Sequence, residues 1–168
     1  MEFDRVIKER FAARGFKSDS IGDDLILKIL EAGRIAPTAK NQQPQKIYVV
    51  RSSEGIKKID EVSPCRYNAP VVLLICSDKN IAWRKEDYST FEMDATIVAT
   101  HMILEATNVG LNSVWVEMFD KEKTKEIFNL DENIEPVCLI PIGYKEDNVV
   151  PSPMHTTKKS LEEMVEYI

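Results

Sequence analysis

Apolar residues recur in two patterns along the chain, and these patterns predict its helices and strands. Short continuous apolar runs predict buried strands, while apolar residues spaced three to four positions apart predict helices with one polar face. The predicted strands are 46–50, 71–77, 112–119 and 136–144. The predicted helices are about 2–14, 23–36, 53–62, 91–109 and 121–130. Two helices come first and the later elements alternate irregularly, which favours an α+β class with a central sheet.

The helix predicted over 91–109 differs from the others because it is apolar around almost its whole circumference. A chain of this size usually covers only one side of a helix near its surface. We therefore expect this helix to be wrapped by the rest of the protein or by a second copy, which favours a homodimer. The tail over 160–168 begins with a capping box, Ser160 and Glu163, and its end alternates enough to add a strand to a partner's sheet.

The composition is that of an ordinary globular chain of 168 residues, and we expect one domain over 1–168. Lysine and arginine total 22 against 28 aspartate and glutamate, so the net charge of −6 disfavours binding to nucleic acids. No apolar run is long enough to span a membrane, and the N-terminal residues lack the apolar core of a secretory signal. The three cysteines, Cys65, Cys76 and Cys138, are typical of free thiols in a reducing cytoplasm.

Several common catalytic motifs are absent from the sequence. There is no HExxH or CxxC for zinc, no calcium-loop spacing, no GxxxxGK phosphate loop, no GxGxxG turn and no GxSxG elbow. Their absence disfavours metal sites, Rossmann dehydrogenases and the common hydrolases. Cys65 lies in a loop, but no spacing places His101 or His155 beside it as a base, which disfavours a nucleophilic cysteine.

Two arginines continue the apolar face of the first predicted helix. At about 100° per residue, Phe3, Val6 and Ile7 share one face of this helix. Arg10 and Arg14 continue the same face. A buried guanidinium needs an anion, and two guanidinium groups four residues apart suit the oxygens of a phosphate. The alternative is that both side chains reach water at the helix C-terminus, where the helix dipole favours cations.

A polar loop between two prolines separates the second helix from the first strand. Pro37 and Pro44 stiffen this loop. Thr38, Asn41 and Gln43 offer both donors and acceptors, which match the mixed edge of a heterocyclic ring. A plain polar turn at the surface is the alternative interpretation.

Five segments in the same order resemble the FMN-dependent nitroreductase family, and they extend over nearly the whole chain. They are Arg10-x-x-x-Arg14, APTAKNQQP at 36–44, GLNSVWVEMF at 110–119, IGY at 142–144 and TKKSLEE at 157–163. The loop 36–44 is the most specific of them. The resemblance implies an α+β fold with a central mixed, mainly antiparallel sheet flanked by helices in three α-β-α layers. It also implies a homodimer with FMN sites shared between the subunits.

The resemblance also implies which residues meet the FMN. The arginine segment and the late lysines would contact its phosphate, ribityl chain or ring oxygens. The loop would reach the flavin of the other subunit, and the strand after Gly110 would direct a main-chain N–H toward flavin N5. The implied residues are Arg10, Ala12, Arg14, Pro37, Thr38, Ala39, Asn41, Trp115, Val116, Glu117, Met118, Lys158 and Lys159. The chain departs from the commoner family residues at Ala12, Gln45, Met118 and Lys158.

The activity that the resemblance implies is an NADH- or NADPH-dependent oxidoreductase. FMN would pass two electrons to a nitroaromatic, quinone or related acceptor by a ping-pong mechanism, and no catalytic side chain is required because protons can come from water. Two alternatives stay open at this point. One is a flavin-binding or flavin-sensing module with little turnover, and the other is a protein without flavin that binds a metabolite anion at the arginine pair.

Overall fold

The computed structural model describes residues 2–168, which form five α-helices and six strands. The helices are α1 (Phe3–Glu9), α2 (Asp23–Arg34), α3 (Ser53–Val62), α4 (Phe91–Asn108) and α5 (Lys121–Phe128). The strands are β1 (Gln45–Val50), β2 (Val71–Asp78), β3 (Arg84–Lys85), β4 (Tyr88–Ser89), β5 (Asn112–Ser113) and β6 (Ile134–Gly143). Single 3-10 turns lie at Ala39–Asn41 and Pro153–His155. None of the helices within residues 2–168 is both long and apolar enough to cross a membrane.

The main sheet has the order β1-β2-β6-β5, and its strands pair antiparallel throughout. The two continuous apolar runs of the sequence, β2 and β6, form its centre and are almost entirely buried. Beyond β5 the chain stays beside β6, because Val116 forms an antiparallel bridge with Leu139. The short strands β3 and β4 form a separate hairpin within the predicted loop 79–90.

Helices cover both faces of the sheet, which confirms the expected α+β architecture with three layers. On one face, Leu73 and Ile75 of β2 pack in a cluster with residues of α2 and α4. On the other face, Leu74 and Cys76 pack in a second cluster with residues of α3 and α5. Alternate residues of one strand therefore belong to different cores, as the geometry of a buried strand requires.

Helix α4 is covered largely by its own chain. Its buried residues face α2 and the sheet. The two helices approach closely at Gly33, where a Cβ atom would lie 2.8 Å from both Cγ and Sδ of Met102. Met93, near the N-terminus of α4, remains 54% exposed. The apolar circumference of this helix is thus explained in large part within one subunit.

The predicted first helix is wrong in its extent. Helix α1 ends at Glu9, and Arg10 already has extended backbone angles. The chain then runs extended, because the N–H of Ala13 donates to the carbonyl of Ser113 at 3.1 Å. Arg10 and Arg14 therefore do not share a helical face. Of the apolar residues in α1, only Val6 is buried.

Two further elements differ from the sequence-based expectation. The strand predicted over 112–119 is regular only at Asn112–Ser113, with the later bridge at Val116. In the tail, the N–H of Ser160 donates to Glu163 Oε2 at 3.0 Å, as in a capping box, but only a turn follows. The side chains beyond Thr156 are all exposed.

Candidate functional site

A basic corner forms where the N-terminal segment meets the end of the sheet. Ala12 forms a parallel bridge with Ser113, which brings the segment Arg10–Arg14 beside the chain that leads to Met118. Arg10 is half-buried and Arg14 is exposed. The structure thus joins two of the sequence-predicted groups through backbone hydrogen bonds rather than through a helix face.

The tail brings further positive charge to the same corner. His155 Nε2 lies 3.0 Å from the carbonyl oxygen of Lys8, at the end of α1. The ring of His155 also packs edge-on against Phe11, with ring centroids 6.3 Å apart. Lys158 follows three residues later, so its Cα atom lies at most about 11 Å from the Cα atom of His155. Lys158 and Lys159 are both exposed.

The cations of this corner are not neutralised by carboxylates. None of the ion pairs within residues 2–168 involves Arg10, Arg14 or Lys158. The pKa of Tyr67 is raised by a hydrogen bond with the Cys65 thiol and by burial, while the Arg14 guanidinium opposes the rise. In a chain of net charge −6, the local potential of such a corner favours an anion.

The chain after β5 offers free main-chain donors beside this corner. Val116 is fixed to Leu139 by two hydrogen bonds of 2.9 Å. Trp115 is half-buried, and its Nε1 donates to Glu117 Oε1 at 3.0 Å. In the part of the chain that the structure describes, the N–H groups of Glu117 and Met118 have no acceptor. They can therefore donate to a ligand.

Met118 is held through its backbone while its side chain points to solvent. Its carbonyl oxygen accepts a hydrogen bond of 2.7 Å from Ser63 Oγ. The Met118 side chain is 62% exposed. An apolar side chain in that place can narrow access to a ligand that the neighbouring N–H groups bind.

The polar loop lies at the N-terminus of α4 and has an unusual backbone. Lys40, Asn41 and Gln43 have φ angles of 50°, 55° and 52°, in the left-handed region that glycine favours. Thr38 Oγ1 accepts from the N–H of Gln43 at 3.0 Å, so this hydroxyl organises the loop itself. Asn41 is exposed. Its amide side chain remains available to a ligand.

The loop is tied to α4 by a residue that sequence reasoning missed. Asp94 is buried, and its Oδ1 accepts from the N–H of Ala39 at 2.8 Å. No local pattern in the sequence marked Asp94, which lies two residues after Glu92 in the first turn of the long helix. Pro37 stands exposed at the start of the loop. None of the hydrogen bonds, ion pairs or ring contacts of this loop within residues 2–168 reaches the basic corner.

These donor sets fit FMN. The basic corner suits a phosphate, which accepts charge-assisted hydrogen bonds. The free N–H groups after Val116 suit an acceptor atom on a ring, and the amide of Asn41 suits groups that both donate and accept. No cluster of metal-binding side chains occurs among residues 2–168.

An apolar groove opens on the outer face of the helices. It has a volume of about 550 Å³ and is lined by residues of α1 and α4 and of the C-terminal end of α2, among them Phe3, His101, Leu104 and the capping residue Ile35. Phe3 and Ile35 are 66% and 63% exposed. His101, interpreted from the sequence as a core residue, is half-buried at this groove.

Comparison with known proteins identifies relatives along most of the chain. The sequence model of the Nitroreductase family matches residues 7–66 and 63–144. A protein of Methanothermobacter thermautotrophicus with the provisional name NADH dehydrogenase/NAD(P)H nitroreductase is 30% identical over 155 residues, covering 88% of this chain and 80% of its own. A Bacillus subtilis protein named FMN reductase (NAD(P)H) is 30% identical over 102 residues, covering 58% of this chain and 41% of its own.

A solved structure agrees closely with the fold. The crystal structure of a nitroreductase family protein from Clostridium difficile 630 superimposes with a TM-score of 0.92 at 34% identity. The match covers 99% of this chain and 98% of that one. The resemblance in the sequence is therefore confirmed, and the chain belongs to the nitroreductase family.

Proposed function

We propose that this protein is an FMN-dependent oxidoreductase that takes electrons from NADH or NADPH. The observation that carries the proposal is the unpaired basic corner beside the free N–H groups of Glu117 and Met118. The related proteins named NAD(P)H nitroreductase and FMN reductase support the cofactor and the electron donor. We further propose that the acceptor is a nitroaromatic, a quinone or a related small molecule, and that donor and acceptor use one pocket in turn.

Each part of the site has a distinct task in this proposal. Bound FMN supplies the two-electron transfer between NAD(P)H and the acceptor. Arg10 and Lys158 hold its phosphate, and Arg14 places positive charge near its ring or ribityl oxygens. The N–H groups after Val116 orient the ring, and the exposed side chain of Met118 limits which acceptors reach it. Protons come from water, so no side chain acts as an acid or base.

We also propose that the working unit is a homodimer with sites shared between subunits. Asp94 at the loop and Leu104 at the groove are ten positions apart on α4, which separates them by roughly 15 Å. The loop with Asn41 thus lies at the other end of the helix from α1 and the arginine segment. A second subunit can supply the loop to each basic corner.

Exposed apolar surface supports the same assembly. The groove between α1, α2 and α4 is open, and the tail exposes Leu161, Met164 and Tyr167. A segment that leaves its apolar side chains exposed gains little by being ordered, so we expect it to pack on a second copy. The free, buried cysteines support a reducing compartment such as the cytoplasm.

The decisive experiment is the visible spectrum of the purified protein before and after anaerobic NAD(P)H. Bound flavin that is bleached by NADH or NADPH and recovers with a quinone supports the proposal. Flavin that NAD(P)H cannot bleach would indicate a binding module, and a protein that neither contains nor binds FMN would refute the proposal.

The shared site is tested by refolding two inactive variants together. Arg10→Ala and Asn41→Leu are each expected to weaken the site. If the site is shared, a mixed dimer contains one intact site and regains part of the activity. An FMN-loaded monomer in analytical ultracentrifugation would refute the shared site.

A further inference from the structure

Asp94 is a buried carboxylate that makes no ion pair within residues 2–168. Asp94 is only 1% exposed to solvent. Oδ1 accepts from the N–H of Ala39 at 2.8 Å, and Oδ2 accepts from Thr90 Oγ1 at 2.8 Å. A buried carboxylate is costly unless its oxygens are hydrogen-bonded, and the first turn of α4 adds a favourable dipole. Oδ1 thus ties α4 to a loop 55 positions earlier in the chain, while Oδ2 bonds the residue that precedes the helix.

The loop that Asp94 holds is conformationally demanding. Lys40 and Asn41, directly after Ala39, both have positive φ angles although neither is glycine. Such angles persist where the surroundings fix them, and they concentrate at functional sites. Within the loop, Thr38 supplies one hydrogen bond from its side chain. From outside the loop, the side chain of Asp94 fixes the main-chain N–H of Ala39, next to these two residues.

Thr90 connects this anchor to a second contact with the loop. Its N–H donates to the carbonyl of Trp83 at 3.0 Å. The ring of Trp83 lies 5.5 Å from Lys40 Nζ, in the geometry of a cation–π contact. The loop is therefore held on two sides, by Asp94 at Ala39 and by Trp83 at Lys40, and Thr90 joins the two.

We propose that Asp94 is a positioning residue that sets the orientation of Asn41 toward the flavin. The inference rests on the proposed function, and it adds a residue that acts through Asn41 rather than on the cofactor itself. Asp94→Asn keeps the shape of the side chain but replaces one acceptor oxygen with a donor. The Thr90 hydroxyl can accept from this amide, but the N–H of Ala39 then donates to a neutral oxygen instead of a carboxylate, which weakens the hydrogen bond that anchors the loop.

A double-mutant cycle on FMN binding tests this proposal. In the wild-type background, Asp94→Asn should raise the FMN dissociation constant about five- to tenfold, within the range of coupled neighbours. In the Asn41→Ala background, the same change should raise it less than about twofold, because the amide that Asp94 orients is gone. The visible circular dichroism of bound FMN should change in the same direction in Asp94→Asn and in Asn41→Ala.

Two further variants separate positioning from general stability. Glu92→Gln removes another carboxylate from the first turn of α4 without touching the loop, and it should leave the FMN dissociation constant unchanged. Thr90→Val keeps the bond from Ala39 and removes the other donor, so it should weaken FMN binding less than Asp94→Asn does. If Asp94→Asn does not fold, Thr90→Val takes its place in the double-mutant cycle with Asn41→Ala.

Each outcome decides between distinct conclusions. Equal effects of Asp94→Asn in both backgrounds, or an unchanged dissociation constant in a folded variant, would overturn the role of Asp94 and leave the proposed function intact. A wild-type protein that does not bind FMN would overturn the proposed function, and this inference with it.

Discussion

Replacing Arg10 with alanine should weaken FMN binding far more than it weakens the fold. Arg10 is half-buried, makes no ion pair within residues 2–168 and lies at the C-terminal end of α1. Arg10 has no carboxylate partner that the substitution would leave unpaired. The free energy of unfolding of the apoprotein should therefore fall only by the interaction of the guanidinium with the helix dipole, about 0.3–1 kcal/mol. A hydrogen bond to a charged phosphate contributes about 1.5–3 kcal/mol, which corresponds to a roughly 10- to 150-fold change in the dissociation constant.

The assay is equilibrium binding of FMN to apoprotein, followed by the quenching of flavin fluorescence. Arg5→Ala is the matched control, because Arg5 lies on the same helix and pairs with Glu9 at 2.6 Å on the exposed surface. That pair is worth less than about 0.5 kcal/mol. If Arg10→Ala and Arg5→Ala bind FMN equally well, Arg10 does not belong to the site.

Three further predictions concern the loop, the buried thiols and a helix cap. Asn41→Leu should lower FMN affinity and shift the flavin spectrum, and a variant with normal affinity, spectrum and turnover would remove Asn41 from the site. Burial raises the pKa of the Cys76 thiol to about 12 and also raises that of Cys138. The thiols ionise at lower pH in the unfolded chain than in the folded protein. The free energy of unfolding should therefore keep its full thiol contribution below about pH 8.5 and fall as the pH rises toward 12, by up to about 1.4 kcal/mol per pH unit for each thiol. Urea unfolding should show a shallower alkaline decline in the variant that carries both Cys76→Ala and Cys138→Ala. At the start of α5, the Asp120 carboxylate accepts from the N–H of Lys123 at 2.9 Å. Asp120→Ala should therefore lower the free energy of unfolding by about 1 kcal/mol. An unchanged urea midpoint would show that this cap is dispensable.

The central strands were predictable because burial on both faces leaves a continuous apolar run. Strands β2 and β6 follow that rule, and their predicted bounds are close to the observed Val71–Asp78 and Ile134–Gly143. Helix α4 was predicted almost to the residue, since no other element explains so long an apolar stretch. The sheet order could not be predicted, because pairing of β6 with β2 depends on contacts between distant parts of the chain.

The error in the first helix has an identifiable physical cause. Residues 11–16 alternate between buried and exposed positions as far as Gly15, which is the pattern of an extended chain. Alanines at 12 and 13 fit a helix equally well, so the alternation was hidden in the sequence. The hydrogen bond from Ala13 to Ser113 decides the conformation, and that bond is a tertiary contact.

The residues of the candidate site remain a prediction from the sequence, and their geometry could not be predicted. The loop residues Thr38 and Asn41 were predicted from their chemistry, whereas their left-handed neighbours could not be, because lysine and glutamine rarely adopt such angles. The link from Asp94 to Ala39 spans 55 positions and has no local signal.

The position of β6 also affects how the protein is made. In the sheet order β1-β2-β6-β5, this strand joins the two sides, yet it is the last strand to leave the ribosome. Until Ile134–Gly143 has emerged, β1 and β2 have no third strand to pair with in this sheet, and the edge of β2 that β6 covers in the fold stays open to other chains. We therefore expect most of the chain to be synthesised before the sheet can close, and we expect a chain truncated before β6 to form no stable partial domain.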